Sequence, residues 1–281
     1  MKIGIVGAGT MGNGIAHVFS LHNNEVVICD LSDKILKDAI NTIKKNMHRQ
    51  YKKDAISQEQ MNTALKNIHI SNNLNELHDC DLIIEAVKED FEVKSKVFKN
   101  LDSVCIEKTV FASNTSSISI NKLAEQTSRK EKFIGMHFMN PVPIMKLVEV
   151  IKGSHTSNET VDFIMTLTKD IEKIPIKCND APGFVSNRIL MPMINEAAYC
   201  FMDGVAEVKA IDSIMKLGMG HPMGPLKLAD LIGIDVCVYI MDILFEGFND
   251  KKYKPCPLLI DMVKNNKLGK KTKKGFYNYE F

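Results

Sequence analysis

A doubly wound α/β domain followed by an all-helical domain is the architecture that this sequence predicts. Three observations carry the prediction. A short apolar run at residues 3–6 leads into Gly7-Ala8-Gly9-Thr10-Met11-Gly12, after which Ile15, Ala16, Val18 and Phe19 recur at helical spacing. Further apolar runs of strand length, at 25–29, 80–87 and 109–113, alternate with helical stretches. Beyond residue 183 only helical spacing remains, so that Val185, Ile189, Met193, Ala197 and Phe201 recur every four residues. Proline and glycine stand together in Asp180-Ala181-Pro182-Gly183, and a boundary there gives domains 1–183 and 184–281.

Bulk composition excludes several classes. The 281 residues are 45% hydrophobic and 25% charged, and 36 basic against 34 acidic side chains leave a net charge of +2. Nothing in that balance favours nucleic acid. No apolar run approaches the roughly 18 residues of a membrane span. Met1-Lys2 leads directly into the first strand, without the apolar stretch of a signal peptide. The seven cysteines are scattered with no CxxC pair. They read as reduced thiols of a cytoplasmic protein, not as a metal site or a disulfide framework.

The glycine loop carries the first chemistry. GxGxxG alone is a weak signal; between a strand and a helix, with an acid ending the next strand, it is a Rossmann-type dinucleotide loop. Gly7 permits the tight turn, Gly9 lets the backbone approach a pyrophosphate, and Gly12 lets the helix pack close to the strand. Thr10 and Met11 open that helix, whose N–H groups face the phosphates. Asp30 ends the second strand. Its carboxylate suits ribose hydroxyls and repels a 2′-phosphate, and no arginine follows it. NAD is therefore expected in preference to NADP.

Lys44, Lys45, Arg49, Lys52 and Lys53 cluster on a helical stretch at 34–53. A solvated face and attraction for a small polyanion such as coenzyme A are both open readings. Glu89 and Lys94 follow the strand at 80–87, at the end where such sheets bind ligands. Asn114-Thr115-Ser116-Ser117 follow the next strand. They suit either ligand contacts or the cap of a helix over 118–125.

Residues 133–138 read as a strand ending His137-Phe138, residues 139–145 as a proline-broken turn, and residues 146–151 as a returning strand. A bend near Pro143 places His137 opposite Glu149, within hydrogen-bond reach. A carboxylate on one ring nitrogen fixes the tautomer and raises the basicity of the other. Such an imidazole can take a hydroxyl proton as hydride leaves carbon, and return it in reverse. Asn140 is placed to orient the ring or bind the substrate oxygen. A structural buried histidine is the competing reading; no further ligand stands at metal-binding spacing.

Six stretches carry a family resemblance: GAGTMGNGIA, ASNTSSISI, GMHFMNPVPIMKLVEVI, DAPGFVSNRILMPMINEA, GHPMGPLKLADLIGID and GKKTKKGFYNY. Together they span nearly the whole chain and resemble the 3-hydroxyacyl-CoA dehydrogenase family, its bacterial clostridial-type 3-hydroxybutyryl-CoA members in particular. The resemblance implies reversible oxidation of a (3S)-3-hydroxyacyl-CoA, of four carbons, to the 3-oxoacyl-CoA. It implies that His137 is the catalytic base, Glu149 its partner, and Ser116 a contact to substrate and nicotinamide. Asn187 then holds the substrate, Glu89, Lys94, Asn140 and Lys271 contact the cofactor, and Lys53 and Asn46 contact coenzyme A. One departure is visible: the family's His-Phe-Phe-Asn reads His137-Phe138-Met139-Asn140 here. Rival readings are an NADP-dependent acetoacetyl-CoA reductase and a non-catalytic relative of the crystallin kind; intact His137 and Glu149 argue against the latter.

In the second domain, helices are expected at 208–217, ended by Gly218, and across the apolar stretch 226–248. That stretch suits either a monomeric core or a partner surface. The resemblance implies a homodimer, or a higher homo-oligomer, formed through this domain, and an active site between the domains.

Overall fold

The computed structural model describes residues 1–279. The chain divides into two compact units, Met1–Ala181 and Pro182–Phe281.

The first unit opens with β1 (Lys2–Val6), α1 (Thr10–Leu21), β2 (Glu25–Cys29) and α2 (Asp33–Tyr51). Next come α3 (Gln58–Lys66), β3 (Ile68–Ser71), β4 (Leu82–Glu85) and α4 (Phe91–Val104). After β5 (Val110–Ser113), α5 (Ile120–Ala124) and β6 (Phe133–Phe138), the unit closes with β7 (Leu147–Lys152), α6 (Asn158–Asp170) and β8 (Ile174–Asn179).

The eight strands form one sheet in the order β3-β2-β1-β4-β5-β6-β7-β8. All neighbours are parallel except β6 and β7, which run antiparallel. Central strands are apolar on both faces because helices cover both. Ile15 and Phe19 of α1, Ile43 of α2 and Ile164 of α6 join one apolar cluster with the strands. Phe98 of α4 meets Phe111 and Phe133, whose side chains alternate to the opposite face. Strand order reverses direction at β1 and β4, and a ligand crevice is expected outside their C-terminal ends.

Several elements differ from expectation. The basic helix ends at Tyr51; Lys52 is its C-cap and Lys53 lies in the following turn. The helix expected at 118–125 is the shorter α5, capped by Ser119 and not by residues 114–117.

The second unit holds α7 (Ser186–Met202), α8 (Val208–Met219), α9 (Pro225–Ile232), α10 (Ile234–Phe248) and α11 (Pro257–Lys264). Met191, Ile194, Ala198, Leu226, Cys237 and Leu244 lie in its core. The every-four stripe does not form one buried face: Val185 and Ile189 are exposed while Ala197 is buried. Four residues turn a helix by about 40° more than one revolution, so a strict spacing of four spirals out of the core. Gly220, at φ 70, ends α8; Gly218 is still helical. The apolar stretch at 226–248 is two helices, broken at Gly233 with φ 108.

Two buried carboxylates fasten the last described segment. Asp230 accepts from the backbone N–H of Phe276 and Tyr277, each at 2.9 Å. Asp212 accepts from Leu226 N and Lys227 N at the start of α9 and from the Tyr277 hydroxyl at 2.7 Å. Among the described residues no helix is long and apolar enough to cross a membrane.

Candidate active site

The glycine loop is shaped by sterics. Gly7 sits at φ +101, and a Cβ there would lie 2.5 Å from the Ala86 carbonyl oxygen. A Cβ on Gly12 would overlap the Gly7 carbonyl oxygen, so α1 approaches β1 as closely as backbone allows. Beside Gly9 nothing lies within 4 Å. That open space, together with an α1 N-terminus that no side chain caps, suits a phosphate group. Asp30 Oδ2 accepts from Ala8 N at 2.9 Å and Oδ1 from Ser32 N at 3.2 Å, which fixes the carboxylate beside the loop. A cavity of about 570 Å³ opens here, lined by Gly7, Gly9, Asp30, Ile35, Val87 and Val97 among others. Apolar walls, an anchored acid and an uncapped helix start fit the adenosine and pyrophosphate of a dinucleotide.

A charged network follows at the ends of β4 and β5. Glu85, fully buried, accepts from Lys94 Nζ at 2.6 Å, from Val87 N at 2.7 Å and from Ser113 Oγ at 2.6 Å. Burial pushes its carboxyl above the ordinary value, against the pull of Lys94 and Ser113. Lys94, 1% exposed, also lies 3.3 Å from Glu89 Oε2. Glu89 Oε1 accepts from Thr115 Oγ1 at 2.6 Å, from Ser117 Oγ and Ser116 N at 2.9 Å, and from Ser117 N at 3.0 Å. Burial works against the Glu89 charge, but Lys94 and these donors outweigh it and hold its carboxyl below the usual range. Residues 115–117 are therefore gathered by Glu89. Sequence reasoning passed over Glu85, although a lone acid inside a buried apolar strand is itself a signal that a buried cation must answer it. The Lys94 ammonium is thus held by the Glu85 and Glu89 carboxylates.

His137 and Glu149 stand directly opposite each other in the β6–β7 ladder. His137 Nδ1 lies 2.7 Å from Glu149 Oε2, and both side chains are buried. Residues on paired positions of one sheet face cannot separate without breaking the ladder. Asn114 Oδ1 accepts from Phe138 N at 2.9 Å and ties the end of β5 to the residue after His137. Among the described residues no cluster of three or more His, Cys, Asp or Glu is placed to hold a metal.

The first unit thus brings Gly7, Gly9, Gly12, Asp30, Glu89, Lys94, Ser116 and His137 to the C-terminal ends of β1, β2, β4, β5 and β6, with Asn140 in the turn beyond and Glu149 on the returning strand. Asn46 is half-buried on α2 and Lys53 is exposed just past it. In the second unit, Asn187 is buried in the first turn of α7. Lys271 is paired with Asp235 at 2.6 Å, a partner that the sequence reading did not foresee.

Comparison with known proteins agrees with this arrangement. Residues 2–181 match the family described as "3-hydroxyacyl-CoA dehydrogenase, NAD binding domain", and residues 183–279 match "3-hydroxyacyl-CoA dehydrogenase, C-terminal domain". A "probable 3-hydroxybutyryl-CoA dehydrogenase" of Deinococcus radiodurans is 49% identical over 279 residues, 99% of this chain and 100% of that protein. A 3-hydroxybutyryl-CoA dehydrogenase of Clostridioides difficile is 47% identical over 99% of both chains. The crystal structure of (S)-3-hydroxybutyryl-CoA dehydrogenase PaaH1 from Ralstonia eutropha superposes with a TM-score of 0.97 at 45% identity, covering 100% of this chain and 99% of the other. With both halves matched in order, the chain belongs to the 3-hydroxyacyl-CoA dehydrogenase family of oxidoreductases.

Proposed function

We propose that the chain interconverts (3S)-3-hydroxybutyryl-CoA and acetoacetyl-CoA, linked to NAD, with His137 and Glu149 as its acid/base pair. The 2.7 Å bond between His137 Nδ1 and Glu149 carries this reading. NADH, when bound, would supply the hydride in reduction, and NAD would accept it in oxidation. His137 Nδ1 donates to the carboxylate, which assigns the proton chemistry to Nε2. In reduction the imidazolium gives its Nε2 proton to the oxygen forming on C3; in oxidation the neutral ring takes the hydroxyl proton. Ser116 and Asn187 bind the substrate, and Asn140 orients its oxygen and the nicotinamide side. Glu89, held by Lys94, receives the cofactor's ribose. Lys53 and Asn46 meet the phosphates of coenzyme A, and Lys271 meets the cofactor. Asp30 supports NAD over NADP, because a 2′-phosphate would face a fixed negative charge.

Steady-state rates with acetoacetyl-CoA, measured with NADH and with NADPH, test the proposal. Faster turnover with NADH supports it, and equal or faster turnover with NADPH overturns the reading of Asp30. Glu149→Gln is expected to lower kcat and to move the pH profile of hydroxyacyl oxidation, because the imidazole loses its charged partner. An unmoved profile counts against the pair.

A homodimer through the second unit is also proposed. Ile189, Ile214, Leu217, Met219 and Leu231 are exposed there, Leu217 at 87%. Sedimentation of the protein at micromolar concentration as a monomer would refute it.

A further inference from the structure

The turn between β6 and β7 holds Asn140 and joins the two strands of the acid/base pair, yet little apolar anchoring holds it in place. Ile144 and Met145 are exposed, and only Val142 is buried. Val142 packs against the bare backbone of Gly14 on α1, where an added Cβ would lie 3.0 Å from the Val142 Cβ. Within the turn, Ile144 N and Met145 N both donate to the Pro141 carbonyl.

The second anchor comes from outside. Lys173, immediately before β8, is 8% exposed. Its ammonium donates to the Val142 carbonyl at 2.7 Å and to the Met145 carbonyl at 2.8 Å. Among the described residues it forms no ion pair. A buried ammonium without a carboxylate partner is costly, and the two carbonyls that it holds are what compensates the charge. Burial lowers its pKa from the ordinary lysine value; Glu172 opposes that shift and Lys146 adds to it. The same charge acts on His17 of α1, whose own pKa is lowered mainly by burial. The lysine thus stands where the dinucleotide helix, the turn and β8 meet.

We propose that Lys173 is a positioning residue for the hydride-transfer reaction: its ammonium grips two carbonyls of the β6–β7 turn and so sets Asn140 and the His137 ring. This inference rests on the role proposed for His137, because only a turn next to the reacting atoms needs such a grip. Misplacement of a catalytic group by about 1 Å can cost on the order of 100-fold in rate.

The experiment compares the wild type with Lys173→Met. Methionine matches the length of the aliphatic stem and removes the donor. The expected result is a kcat lower by about 10-fold or more, with the NADH dissociation constant nearly unchanged. The His137 ring resonance of the ligand-free protein, assigned by its loss in His137→Gln, should shift or split. A folded Lys173→Met variant with near wild-type kcat and an unchanged His137 resonance overturns the proposal. So does a kcat loss matched by an equal loss of NADH affinity, since that reports general damage. Where Lys173→Met does not fold, Lys173→Gln is read by the same criteria. A wild type that fails to reduce acetoacetyl-CoA would sink the substrate assignment alone, because the resonance reads the turn without any substrate.

Discussion

Replacing His137 by glutamine is expected to lower kcat by about 10²–10⁴-fold while NADH binding stays nearly as it was. Glutamine can still donate to Glu149, so the buried carboxylate keeps a partner. It cannot exchange a proton at neutral pH, so the oxygen on C3 must find its proton elsewhere. The groups that shape the dinucleotide site, Gly7, Gly9, Gly12 and Asp30, lie on other strands and turns and are untouched. His137→Ala should lose activity similarly, but it also removes the ring bonded to the buried Glu149 carboxylate, at a cost of about 1–3 kcal/mol. A thermal melt therefore separates the two variants, and steady-state turnover joins them. Near-normal turnover by either removes His137 from the acid/base role.

The second large effect is expected at Gly12. In Gly12→Ala the new methyl overlaps the Gly7 carbonyl oxygen, and backbone cannot rotate away as a flexible side chain would. The start of α1 has to retreat from β1. Overpacking of this kind costs about 1–3 kcal/mol of stability, and the N–H groups that face the phosphates move with the helix. NADH affinity should fall by at least about 10-fold, an expense of about 1.4 kcal/mol in binding. Gly9→Ala is the control. Nothing lies within 4 Å of a Cβ at Gly9, so the ligand-free fold should keep its melting temperature. The methyl occupies the space a pyrophosphate needs, so NADH affinity should still fall. Equal melting temperatures for the Gly12→Ala and wild-type proteins would show that the helix can yield there.

Much of this was legible in the sequence, for definite reasons. The glycine loop, the apolar strands and Asp30 are local signals, each readable within a few residues. The His137–Glu149 pair was legible because a hairpin bent near Pro143 fixes its own register. Long-range choices were not. Nothing local tells that Thr115, Ser116 and Ser117 turn to Glu89 and leave the cap of α5 to Ser119. Gly218 and Gly220 both suit a helix end, and only the backbone angle at Gly220 decides between them. The break at Gly233 is hidden because apolar periodicity runs straight across it. The ion pair that Lys94 makes with Glu85, nine residues earlier, joins a helix to a buried strand and is likewise a long-range choice. Lys271 meets Asp235 through a pairing that sequence spacing does not announce.

The facing of His137 and Glu149 across two neighbouring strands has an evolutionary corollary. The sheet pleat, not the loop, keeps imidazole and carboxylate on a common side. A single residue inserted within either strand would send one partner to the opposite surface. Descendants of this scaffold are thus held to the register of these two strands, because any slip between them parts the imidazole from its carboxylate.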